Sequence, residues 1–149
     1  MCTLTFIRTD RGVRLVHSRD EQRTRADGVP PAPWVCGDYR LLSPRDPDAG
    51  GTWVAARDDG AILAVMNRNP EPPPAQDRAA LRSRGLLIEQ LAALPPERFA
   101  DALRAIEARD YAPFRMFTVS LAAGDPVLFG AEWDASDTFA DARPVVTSH

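Results

Sequence analysis

Apolar and polar positions alternate over residues 3–8 and again over Val13-Arg14-Leu15-Val16-His17-Ser18, with Thr9-Asp10-Arg11-Gly12 between them. Alternation with a period of two around a glycine-bearing connection predicts a β-hairpin. A polar, proline-bearing stretch from Glu21 to Pro33 reads as loop. A second hairpin is predicted from Thr52–Arg57 and Ala61–Met66, joined by Asp58-Asp59-Gly60, an Asp-Gly pair between apolar runs. The prolines of residues 70–77 exclude helix and central strand, so that segment is a surface loop. The spacing of Leu86, Leu87, Leu91 and Leu94 predicts a helix from Ser83, as its cap, to about Leu94. Pro95-Pro96 ends it, and a second helix from about Glu97 to Ala108 places Phe99, Leu103 and Ile106 on one face. Strands return at 115–121, 127–132 and 144–147. The pattern predicts one α+β domain over residues 1–149, with two antiparallel sheet layers and a helix pair outside.

Composition removes several functions. The 149 residues carry a net charge of −3, which leaves no basic footprint for nucleic acid. All eighteen basic residues are arginine, so Schiff-base, Ser-Lys and P-loop chemistry are excluded. No apolar run reaches the ~20 residues of a membrane span and no signal-peptide core precedes Cys2, which points to a cytoplasmic protein. Cys2 and Cys36 lack metal-ligand spacing; Cys36 is expected as a buried small hydrophobe.

Cys2 is the strongest chemical signal. Removal of Met1 would leave a thiol and a free α-amine on one residue. An α-amine titrates near ~7.7–8.0 and a thiol near ~8.5, so the amine can serve as base to its own nucleophile. Three further segments bear on this. Arg19 and Asp20 end the second strand, which the hairpin returns beside Cys2; a guanidinium favours thiolate and a carboxylate can hold the amine. Gly50-Gly51 before Trp53 permits close backbone approach or N–H groups turned to an anion. Asn67, beside Arg68, can donate to a developing oxyanion. Each segment also has an ordinary reading as a strand end or a tight turn.

Taken together, Cys2, Ser18-Arg19-Asp20-Glu21, Arg45-Asp46 with Gly50-Gly51-Thr52-Trp53, Asn67-Arg68, Ser83-Arg84-Gly85 and Tyr111-Ala112-Pro113-Phe114 resemble the NRDE family in order and spacing. That is the family of transport and Golgi organisation protein 2, and it is similar to N-terminal-nucleophile (Ntn) hydrolases. The resemblance implies an αββα sandwich and cleavage of an amide or acyl bond through a thioester at Cys2. It implies catalytic roles for Cys2, Arg19, Asp20 and Asn67, the arginine and aspartate matching those that flank the thiol in choloylglycine hydrolase. Gly50, Gly51, Trp53 and Arg68 would then contact substrate. Ser18 stands where the family's motif begins with asparagine. Family members continue beyond this length, so the C-terminal part of the fold is expected to be missing.

The resemblance also implies an alternative, a non-catalytic protein that binds or traffics haem, a lipid or acyl-CoA. Cys2, Cys36 and His17 are the axial ligands available for haem. The catalytic reading requires no cofactor and no metal.

Overall fold

The computed structural model describes residues 2–10, 12–69, 81–120, 126–135 and, for the backbone alone, 139–141. Its architecture is α+β, with antiparallel sheets and two short helices. Strands β1 (Thr3–Thr9) and β2 (Gly12–Ser18) form a separate two-stranded hairpin in which Thr3 pairs with Ser18 and Thr9 with Gly12. Gly12 closes it at φ +125°, a conformation that strains any side chain. Alternation sorts its two faces. Cys2, Leu4, Phe6, Leu15 and His17 are half-buried on one, while Thr3, Thr5 and Val16 are exposed on the other.

The other seven strands form one antiparallel meander: β3 (Val29–Cys36), β4 (Tyr39–Arg45), β5 (Val54–Arg57), β6 (Ile62–Asn67), β7 (Phe114–Ser120), β8 (Val127–Trp133) and β9 (Phe139–Asp141). The segment expected to be loop up to Pro33 is in fact strand from Val29 onward. Prolines 30, 31 and 33 are tolerated because β3 lies at the edge of the sheet, with its register broken between Val29 and Ala32. Pro44 lies beyond the β4–β5 pairs Leu41–Arg57 and Leu42–Ala56, so it deprives no neighbour of a ladder bond. The β5–β6 turn falls where expected, with Gly60 at φ +85° and the Arg57 N–H donating to the Ala61 carbonyl at 2.8 Å.

Both helices are shorter than their periodicity predicted. Helix α1 is Gly85–Ala92, with Arg84 in the cap position and no side-chain capping bond; Ser83 contributes its carbonyl to the first turn, not its hydroxyl. A 3-10 turn at Pro96–Arg98 precedes α2, Phe99–Arg104. A second 3-10 turn at Ala108–Asp110 replaces the end of the expected helix and swings Tyr111 into the core. Leu87, Ile88, Leu91, Phe99 and Leu103 cover one face of the sheet, meeting Leu41, Leu63, Val65, Phe114 and Met116. The helix layer therefore lies on one side of the large sheet. Among the described residues, the strands outside the large sheet are the two of the hairpin, where a second sheet layer was expected. The loop expected at 70–77 and the strand at 144–147 lie outside the described residues.

Arg57 ties strand to helix. Its side chain is fully buried, donating to the carbonyls of Ala92 (3.1 Å) and Leu94 (2.5 Å) at the end of α1, and pairing with Asp59. A guanidinium there satisfies carbonyls that a helix end otherwise leaves unpaired.

Candidate functional site

A cavity of about 520 Å³ opens between the hairpin, the Gly50–Trp53 turn and the chain entering α1. Cys2, His17, Arg19, Gly50, Trp53 and Asn67 line it. The hairpin brings Cys2 beside the end of β2, so that its thiol lies 3.9 Å from the Asp20 carbonyl. The Asp20 carboxylate is held below its usual range, first by a hydrogen bond from the terminal ammonium, which belongs to Met1 and not to Cys2, and then by that group's charge. It is solvent-exposed and lies outside the cavity lining.

Arg19 is fixed by three partners. Its Nη2 donates to Glu21 Oε2 at 3.0 Å and to Asp46 Oδ2 at 2.8 Å, and its guanidinium lies 4.6 Å from the centre of the Trp53 ring. Arg25 donates to the same two carboxylates. Asp46 also accepts the N–H groups of Asp48 (3.1 Å) and Ala49 (3.0 Å). Burial alone would raise the Asp46 pKa, but the Ala49 N–H, the Arg25 charge, the Asp48 N–H and the Arg19 charge outweigh it and leave the carboxyl below its ordinary range. Asp46 thus binds the segment after β2 to the glycine turn.

That turn has a steric reason for its composition. Gly51 sits at φ +72°, and a Cβ there would lie 2.6 Å from the Gly85 carbonyl carbon. Reciprocally, a Cβ on Gly85 would meet the Thr52 nitrogen at 2.8 Å. The two glycines let the Gly-Gly-Thr-Trp turn and the start of α1 touch backbone to backbone, forming a wall of the cavity. Gly51 is buried by this contact and lines no cavity itself, whereas Gly50 does.

His17 reaches the large sheet, its Nε2–H donating to the Val65 carbonyl at 3.2 Å. This assigns the proton to Nε2 and leaves Nδ1 enclosed, without a partner among the described residues. Burial lowers the His17 pKa against the raising effect of the Val65 bond.

Two other sequence candidates lie elsewhere. Arg68 is absent from the cavity lining; its Nε donates to Glu132 at 2.5 Å, opposite Arg115 at 2.6 Å. The Cys36 thiol is half-buried and donates to the Glu89 carbonyl at 3.3 Å, and burial, with Glu89, pushes its pKa up. Sequence reasoning missed Arg25 and Arg82, both in the cavity lining. An arginine in a polar loop or after a proline-rich stretch carries no local signal of its target.

Among the described residues, no cluster of three or more His, Cys, Asp or Glu side chains could hold a metal ion, and no helix is long and apolar enough to cross a membrane. Residues 1–138 match the family model described as Transport and Golgi organisation 2. No curated protein and no solved structure matches the chain.

Proposed function

The chain belongs to the Transport and Golgi organisation 2 family, and from that premise we propose that it is an N-terminal cysteine hydrolase acting on an amide or acyl bond. The observation carrying this reading is that Cys2, Arg19 and Asn67 line one cavity. We read the helix layer, the seven-stranded sheet and the hairpin as successive layers of an Ntn-type sandwich.

Once Met1 is removed, the Cys2 α-amine takes the thiol proton. The Sγ attacks the acyl carbon, a C–S bond forms, and the carbonyl electron pair moves to oxygen, where the Asn67 amide donates a hydrogen bond. Collapse of this intermediate breaks the bond to the leaving group, which takes the proton from the ammonium. The amine then deprotonates water, which attacks the thioester and releases the acid and the thiol. Asp20 holds the ammonium between steps. Arg19, already paired to Glu21 and Asp46, acts by positioning the segment against Trp53.

An electrophilic acyl probe should modify Cys2 of the Met1-processed protein, read by intact mass, and Cys2→Ala should abolish the adduct. Labelling that survives in Cys2→Ala, or a cellular protein that retains Met1, would remove the proposal's nucleophile or its base.

The carrier reading has one observation in its favour, since Cys2 and His17 share the cavity. The donor set does not suit haem. His17 Nε2 is given to Val65, its Nδ1 is enclosed, and the walls carry arginines and carboxylates in place of apolar surface. Added haem should produce no Soret band that Cys2→Ala or His17→Ala alters.

A further inference from the structure

The polar groups lining the cavity divide into two sets. Arg19 and Arg25 are neutralised by Glu21 and Asp46, and Arg84 Nε donates to the carbonyls of Ala112 (3.2 Å) and Pro113 (2.7 Å). Arg82 differs. It lines the same cavity, its guanidinium lies 5.0 Å from the centre of the Tyr111 ring, and no carboxylate pairs with it among the described residues. The ring beneath it is fixed: Tyr111 is 2 % exposed and its hydroxyl accepts a bond from Gln90 Nε2 at 2.9 Å. The Arg82 backbone is fixed too, its N–H donating to the Asp110 carbonyl at 2.8 Å and its residue bridging to Tyr111. Next to it Ser83 also lines the cavity, and its hydroxyl has no partner among the described residues.

We infer that Arg82 and Ser83 form an anion subsite, so that the molecule attacked by Cys2 carries a carboxylate or a phosphate. The attack by Cys2 rests on the hydrolase reading, and the subsite does not. A guanidinium presents its donors in a planar fork that matches two oxygens of either group, and an adjacent hydroxyl supplies a third donor. Stacking on a buried ring removes side-chain freedom beforehand, so less entropy is lost on binding. Among the described lining residues, Arg82 is the guanidinium that no described carboxylate or carbonyl holds. An anionic group entering the cavity would be drawn to that guanidinium.

The test has two arms on the full chain. Calorimetric titration with inorganic phosphate and with succinate measures the subsite alone. Binding of either should weaken roughly tenfold or more in Arg82→Gln, partly recover in Arg82→Lys, and stay unchanged in Arg109→Gln, an exposed control. Preference for one anion identifies the group recognised. The second arm compares the rates at which Cys2 is acylated by a neutral butyryl ester, a succinyl half-ester and a phosphate-bearing acyl ester. The anionic probes should react faster, and Arg82→Gln should erase that advantage while leaving the neutral rate alone. Anion binding indifferent to Arg82, or equal acylation by all three probes, overturns the subsite. Absence of acylation by every probe, with Arg82-dependent anion binding intact, overturns the hydrolase reading and leaves the subsite standing. Circular dichroism and melting of each variant exclude misfolding as the cause.

Discussion

Replacing Asp46 with alanine should destabilise the fold and disable the site by the same route. The side chain is 13 % exposed, and its partners Arg19 and Arg25 are 16 % and 29 % exposed. The substitution leaves Arg19 with Glu21 and the Trp53 ring, frees Nη2 of Arg25, and orphans the Asp48 and Ala49 N–H groups. Breaking a fully buried pair from one side costs ~3–5 kcal/mol. Partial solvent access here reduces that to about 2–3 kcal/mol, since water can reach the freed groups. At ~2–4 °C per kcal/mol for a chain of this size, the midpoint of thermal unfolding should fall by roughly 4–12 °C. The effect should depend on pH. The folded-state pKa of Asp46 is depressed, so on acidification the unfolded chain takes up its proton first. The Asp46 contribution is therefore complete above the ordinary carboxylate pKa of ~3.9 and is lost as pH falls through the lower folded value. Melting curves of wild type and Asp46→Ala should run parallel from pH 7 to about 5 and converge in strong acid. Equal midpoints at pH 7 would refute the claim that this carboxylate holds the segment after β2 to the glycine turn.

Gly85→Ala should destabilise despite alanine's higher helix propensity: a backbone contact at 2.8 Å cannot yield cheaply, and overpacking costs ~1–3 kcal/mol. A neutral or stabilised variant in urea titration would contradict the interlock with Thr52. Arg57→Leu should lower stability by ~3 kcal/mol or more, because Asp59 and two helix-end carbonyls lose their donor; a loss of unfolding free energy in urea below about a third of that would count against it. Asn67→Ala should slow acylation of Cys2 by roughly 10²–10³ without changing the melting temperature, and an unaltered rate would exclude it as the oxyanion donor. Acid should weaken the Arg68–Glu132–Arg115 clamp as well, since the two arginines outweigh burial and hold Glu132 below its usual pKa; Glu132→Gln should therefore narrow the stability gap between pH 7 and pH 3.

The elements legible in the sequence were those whose signal is local. Gly12 and Gly60 mark their hairpins because the backbone there takes positive φ, and the leucines of α1 repeat at helical spacing. Strand β3 was hidden by its prolines, which read as loop until the edge position supplies the exception. Ser83 has the chemistry of a cap, yet the contact between Gly85 and Thr52 starts the helix after it and leaves Arg84 in the cap position. The second helix stops early because Tyr111 must enter the core, a requirement no window around residue 104 contains. The site follows the same rule. Cys2 and Arg19 were inferable as neighbours from hairpin geometry, whereas the coming together of Asp46 with Arg25, and of Arg82 with Tyr111, depends on how distant segments pack.

Among the described residues the hairpin that follows Cys2 shares no strand pairing with the large sheet, and the bonds between the two include His17 to Val65 and Arg19 to Asp46. Opening of the hairpin would therefore break no ladder bond of the meander. Under the proposed chemistry, the ease of that opening would set how bulky an acyl chain can reach Cys2.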